Sequence, residues 1–205
     1  INKVADKQFW DKRWNDDGDW TDSTKNAVSK SSPLIRLIRK HLPSNSAIIE
    51  GGCGRAEILY LLHSLGYKIT GIDYAPETVE KLNNSFPELN VHLGDVFNLE
   101  DFRDNSFDGY YSGGVIEHFW DGYDQIGKEM QRVLRPGGYL FISFPYMSRA
   151  RRKFVKNLDK IKSFILNKEL IPKELFDISF NDENNKLDII YNGKDTLSDV
   201  LFTVK

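Results

Sequence analysis

The sequence predicts an α/β fold with a largely parallel sheet and helices on both faces. Three observations carry this. Short apolar runs of strand length recur between Ser32 and Pro145: "AIIE", "KITGID", "NVHLGD", "FDGYYS" and "YLFISFP". Most are separated by segments whose apolar residues return with helical spacing. Strands joined across helices need right-handed crossovers, which place them parallel in one sheet. At 205 residues, with 40% hydrophobic content, the chain can bury one substantial core and is not a disordered polymer.

The elements follow in order. "SPLIRLIRKHL" offers Ser32 as N-cap, Pro33 in the first turn, and an apolar stripe of Leu34, Ile35, Leu37, Ile38 and Leu42. Strand 47–50 leads to a helix from about Ala56 to Leu65 that stops at Gly66. Strand 68–73 precedes a helix from Pro76 to about Asn84. A third strand spans 90–95 and a fourth 107–112, with Asp108 read as a structural acid. In "YDQIGKEMQRVL", Ile126, Met130, Val133 and Leu134 share one helical face, and "RPGG" then turns the chain into strand 139–145. Residues 1–31 stand outside this rhythm and are rich in aromatics, with Phe9, Trp10, Trp14 and Trp20. Residues 146–186 open with the basic run "SRARRKFVK" and continue in a helical pattern. The end of the chain reads as two strands, about 187–191 and 199–204.

Composition narrows the function classes. A net charge of −2 gives no general attraction to nucleic acid or anionic membrane. The single cysteine, Cys53, excludes an internal disulfide and reads as a small filler in its turn. Four histidines with no HxxxH or HxH pair give no expectation of a metal site. No apolar run reaches membrane-spanning length. The opening residues are polar and aromatic, not leader-like, so a cytoplasmic location is the default expectation.

The glycine-rich turn "EGGCGRAE" lies between strand 47–50 and the next helix. In an open parallel sheet, ligands bind at the carboxyl ends of the strands. Asp73 stands at the next strand end, roughly 20 residues beyond the glycines, the spacing at which a carboxylate meets ribose hydroxyls. A dinucleotide fingerprint would need a small residue where Glu57 stands, and that acid would compete with phosphate for the helix N-terminus. No GxxxxGK[ST] loop is present. Acids recur at Glu50, Asp73 and Asp95, with Glu117 just past the fourth strand. Such a crevice suits a nucleoside that carries positive charge and no phosphate. S-adenosylmethionine, with its sulfonium, ammonium, ribose and adenine, has that chemistry.

These segments, in order, resemble the class I S-adenosylmethionine-dependent methyltransferases. "IIEGGCGRA" is similar to their first motif, "GIDYAPETVEKL" to the second and "LGDVFNL" to the third. "FDGYYSGGVIEHF" is similar to the fourth and "VLRPGGYLFISFP" to the fifth-strand segment. The run covers residues 47–145, about half of the chain, and "EH" after the fourth strand resembles the quinone-biosynthesis-like and general small-molecule group. Ala56 departs from a glycine common there, and residues 146–205 lack the family's usual lead into its last strands.

The resemblance implies a Rossmann-like doubly wound seven-stranded sheet, mostly parallel with an antiparallel last strand. It implies a single domain, with residues 1–31 as an aromatic lid, 32–145 as the cofactor-binding core, and 146–205 as a basic insert and C-terminal strands. By the same resemblance, Gly52 and Gly54 admit the methionine and ribose portions of S-adenosylmethionine, and Glu50 faces its ammonium. Asp73 holds the ribose hydroxyls, Tyr74 packs on adenine, and Asp95 with the Val96 amide reads the adenine edge. Ser112 and Gly113 offer backbone carbonyls to the ammonium. Trp10 and Trp14 cover the cofactor, with Arg13 near its carboxylate. The implied reaction is methyl transfer to a small-molecule acceptor, anionic or lipophilic, leaving S-adenosylhomocysteine. His118 is the candidate general base where the acceptor is a hydroxyl. The basic run at 149–156 is a solvated face, or else a contact for such an acceptor or a membrane surface. A non-catalytic S-adenosylmethionine-binding protein, a nucleotide-dependent oxidoreductase, and a methyltransferase acting on RNA or protein stay open at this point. No nucleic-acid partner is expected.

Overall fold

The computed structural model describes residues 6–15, 18–119, 123–145, 179–181, 186–188 and 197–203. Strand β1 (Ala47–Gly51) is followed by β2 (Lys68–Asp73), β3 (Asn90–Leu93), β4 (Phe107–Gly113) and β5 (Leu134–Pro145). These five are parallel and lie in the spatial order β3-β2-β1-β4-β5. The chain therefore reverses its direction of travel between β1 and β4, where it must leave a crevice. Helices α1 (Lys7–Asn15), α2 (Thr21–Thr24) and α3 (Pro33–His41) precede the sheet; α4 (Glu57–Ser64), α5 (Pro76–Ser85) and α6 (Tyr123–Val133) alternate with the strands.

Strand alternation sends neighbouring residues to opposite faces. Ile48 joins a core with Ile35 and Ile38 of α3, Leu59 and Leu62 of α4, and Leu82 of α5. Ile49 joins a second core with Ile126, Met130 and Val133 of α6. The helices thus cover both faces. Ser32 caps α3 as its sequence predicts, its side chain accepting from the Ile35 amide at 3.4 Å with Pro33 in the first turn. Asp108 is structural, accepting from the Ala47 amide at 2.8 Å and pairing with Arg135, so it ties β4 to β1 and to the start of β5.

Several sequence expectations need correction. Among the described residues the sheet does not have seven strands: the parallel part has five, and of the strand expected at 187–191 the described residues lie in Lys186–Asp188 (β7), which pairs antiparallel with Ser179–Asn181 (β6) outside the main sheet. A run of alternating residues can take either a sheet edge or a local partner, and its sequence neighbour provides the partner here. Backbone pairing also sets Leu197–Thr203 (β8) beside β5, running in the opposite direction. Strand β3 ends at Leu93, so Asp95 lies in the following turn, where its carboxylate accepts from the Phe97 amide at 3.0 Å. Helix α4 starts at Glu57, because Ala56 holds a left-handed φ of 59°. The basic run 149–156 and the helix expected after it lie outside the described residues. Among the described residues, no helix is long and apolar enough to cross a membrane.

Candidate active site

Backbone hydrogen bonding explains the glycine turn. As β1 ends, the amides of Gly52 and Cys53 both donate to the Ile72 carbonyl, at 2.8 and 3.0 Å. The Gly54 amide donates to one oxygen of Asp73 at 2.7 Å, and the Ala75 amide to the other at 3.0 Å. Asp73 therefore stitches the turn after β1 to the turn after β2, a role in the fold that spacing alone does not reveal. A carboxylate offers about four lone-pair positions, so these two bonds leave acceptor capacity for a ligand. Gly52 has a φ of 77°, and a Cβ there would stand 2.4 Å from a Val115 methyl. At Gly54, with a φ of 49°, it would stand 3.0 Å from the Trp14 indole. The turn needs glycine both for its conformation and for its clearance.

A cavity of about 510 Å³ opens at the carboxyl ends of β1, β2 and β4, beneath α1. Its wall includes Trp10, Arg13, Trp14, Glu50, Gly52, Gly54, Asp73, Tyr74, Asp95, Val96, Gly113 and His118. The fold thus brings together residues spread over more than a hundred positions of sequence. Ser112 is not in the wall. Its side chain is buried and shares a strand face with Tyr110, packed towards α6, while Tyr111 and Gly113 reach the cavity. Strand alternation is the reason. Sequence reasoning missed Arg55, Ile58, Tyr111, Val115 and Phe119, which also line the cavity. Of these, Arg55 had a signal, since it directly follows the glycine turn.

The electrostatics are those of an acid-lined crevice in which Glu50 and Asp73 are buried. Glu50 is 4% exposed, and its Oε2 has no hydrogen-bond partner. Burial pushes its carboxyl well above the usual carboxylate range, and the nearby charges of Asp73 and Glu57 push in the same direction. Asp73 is raised as well, by burial, against the opposing effect of the backbone amides it accepts from. Tyr74 is pushed up to about 12, by burial and then by the Asp73 charge. S-adenosylmethionine fits these residues: an orphaned buried carboxylate oxygen awaits a cation, and the cradle over Gly52 and Gly54 has no room for side chains. Glu57 in the first turn of α4 leaves it a poor seat for phosphate.

Helix α1 forms the cover. The Trp10 and Trp14 rings stack at 5.4 Å between centroids, and the Trp10 ring meets His118 in an edge contact at 4.9 Å. His118 itself sits on the single helical turn Ile116–His118 after β4. The Arg55 guanidinium donates twice to the Trp14 carbonyl, at 3.0 and 2.8 Å, holding the end of α1 against the glycine turn. Among the described residues no cluster of histidine, cysteine and acids could hold a metal.

Residues 49–142 match the family model described as a methyltransferase domain. The chain is 32% identical over 105 residues to a protein of Mycolicibacterium smegmatis named "Probable S-adenosylmethionine-dependent methyltransferase", covering 51% of this chain and 40% of that one. It is 37% identical over 133 residues to the "Probable tRNA methyltransferase 9B" of Mus musculus, covering 62% of this chain and 28% of that one. The chain thus spans well under half the length of these curated relatives. The fold is similar to the crystal structure of a TehB-like SAM-dependent methyltransferase from Corynebacterium glutamicum, with a TM-score of 0.65 at 21% identity over 99% of this chain and 100% of that one. Residues 49–142 thus carry a methyltransferase domain, with Asp73 bonded back into its glycine turn, and the chain is similar to S-adenosylmethionine-dependent methyltransferases.

Proposed function

We propose that the protein transfers the methyl group of S-adenosylmethionine to a small-molecule acceptor. The observation that carries this reading is the acid-lined cavity beneath two stacked indoles, with Glu50 in its wall, a buried residue with one carboxyl oxygen that has no hydrogen-bond partner. The cofactor supplies an electrophilic methyl on a sulfonium, and displacement at carbon needs the nucleophile in line with it. This chain's residues bind, orient and exclude water. Asp73, already fixed by two amides, accepts from the ribose hydroxyls, and Asp95 with the Val96 amide meets the adenine edge. Glu50 faces the ammonium, as does the backbone carbonyl of Gly113, while Arg13 faces the carboxylate. Gly52 and Gly54 allow the backbone to approach. Trp10 and Trp14 close the roof, which strengthens every electrostatic contact beneath it and fixes alignment. Aromatic faces also favour the sulfonium. For a hydroxyl acceptor, His118 at the rim takes the proton. By its charge, the basic run 149–156 favours an anionic acceptor or a membrane surface that delivers a lipophilic one.

The similarity to a relative named as a tRNA methyltransferase favours a second reading, with tRNA as acceptor. Against it stands the net charge of −2, which provides no broad phosphate-binding face. Calorimetric titration of the full chain with S-adenosylhomocysteine tests cofactor binding, with micromolar affinity expected for the wild type and at least tenfold weaker binding for Asp95→Ala. Absence of heat and of any melting shift at millimolar ligand sinks the reading. Labelled cofactor supplied with a metabolite pool or with bulk tRNA then separates the two acceptors.

A further inference from the structure

We infer that Asp11 is a positioning residue of the site: it latches the covering helix α1 onto the N-terminus of α5 and so sets the Trp10 ring against His118. This rests on the methyltransferase reading for its purpose, and on the geometry for its existence. Helix α5 begins after Ala75, which has no side chain able to cap it. Its orphan amide at Thr78 is satisfied from another helix, by Asp11 Oδ1 at 3.0 Å, and the same oxygen accepts from the Thr78 hydroxyl at 3.1 Å. A carboxylate at a helix N-terminus is favoured by hydrogen bonding and by the helix dipole together. Asp11 is the sole buried residue of α1, at 7% exposure, in a helix whose other side chains are exposed or half-buried. That helix therefore has little apolar anchorage, and its place depends on polar ties: Asp11 to Thr78 and Arg55 to the Trp14 carbonyl.

The neighbouring residue is the one that matters to the site. Trp10 stacks on Trp14 and touches His118, so movement of α1 carries the roof and the His118 contact away together. The latch thus couples closure of the cofactor cavity to placement of the candidate base. Asparagine at position 11 retains an acceptor oxygen and should serve, since the two residues cap helices about equally well; alanine should not.

The experiment uses the full chain and three variants, Asp11→Ala, Asp11→Asn and Trp10→Ala. Trypsin cleavage at Lys12 and Arg13 reports the opening of α1, because slow cleavage of a rapidly opening segment follows the open population. Loss of the cap should raise that rate about 2- to 30-fold in Asp11→Ala and leave Asp11→Asn within about twofold of wild type. The His118 ring resonances, followed by NMR, should move from their ring-shifted positions in both Asp11→Ala and Trp10→Ala, and stay in place in Asp11→Asn. A merely structural role would alter melting temperature without moving the His118 signal. An unchanged cleavage rate and His118 signal in Asp11→Ala overturn the proposal, as does an asparagine variant that behaves like alanine. Titration with S-adenosylhomocysteine is the separate arm. If the wild type does not bind it, the methyltransferase reading fails while cleavage and NMR still decide on the latch.

Discussion

Glu50 is a carboxyl that the fold buries near the end of β1, just before the glycine turn, while leaving one of its oxygens without a partner. In the free protein this is a cost, since burial and two neighbouring acids disfavour the charged form. A carboxyl whose folded pKa is raised binds more protons in the folded than in the unfolded chain, so stability falls as pH rises through the interval between the two values. Glu50→Gln should therefore stabilise the free protein at pH 7, on the order of 1–2 kcal/mol or a rise of roughly 2–8 °C in Tm. The same variant should bind S-adenosylhomocysteine more weakly, because the ammonium loses its counter-charge. Differential scanning calorimetry and titration on one sample check both halves, and a variant that loses stability contradicts this account. Such opposition between stability and binding is ordinary at sites built for a ligand. Asp73 is different in kind. Its carboxylate holds Gly54 and Ala75 in place, so removing it damages the turn as well as the binding contact, and Asp95 is the cleaner probe.

Among the elements, the loop between β3 and β4 carries Asp95 and Val96, and α6 holds that loop in place. Arg132 donates to the carbonyls of Leu99 and Phe102, both at 2.8 Å, and to Asp104 at 2.7 Å. It also pairs with Glu129, which accepts from the Leu99 amide at 2.7 Å. The Arg132 hydrogen bond holds the Glu129 carboxyl below the usual range. Arg132→Ala removes these ties and leaves two part-buried carbonyls without their partner, so a loss of about 2 kcal/mol, or roughly 4–8 °C in Tm, is expected. Because the loop carries the adenine-facing residues, cofactor affinity should fall with it; thermal melts with titration measure the two together. The element boundaries show how far local pattern reaches. Ser32 and Pro33 announce the start of α3, and the apolar stripe of α6 announces its buried face. The left-handed turn at Ala56 was not legible, since alanine carries no signal for positive φ and adopts it here only because the turn before α4 demands it. Nor was the docking of α1, whose one buried residue is an acid among polar neighbours.

At the scale of the whole molecule, the acids act in two opposing groups. Glu129 contributes stability that is present above the usual carboxylate range and lost as pH falls through its lowered value. Glu50 and Asp73 impose no penalty below the usual range, where both states are protonated, and a growing one as pH rises towards their raised values. The free protein should therefore melt at a higher temperature near about pH 5 than at pH 8, with the difference smaller in Glu50→Gln. A melting temperature that rises steadily from pH 5 to pH 8 would contradict the assignment of those two groups.

The amino-acid sequence by itself determined the alternation of strands and helices, the two buried faces of the sheet, and the turn chemistry of "EGGCG", because each depends on local periodicity and on conformations that few residues adopt. It also placed Asp73 and Asp95 at one end of the sheet, since in a parallel sheet all strand ends of one sense share an edge. Tertiary structure alone decided that Asp73 bonds back into the glycine turn. It alone seated α1 over the site through Asp11 and Arg55. Those outcomes rest on hydrogen bonds between residues as far as 67 positions apart, and a contact made across that span leaves no period in the chain to read.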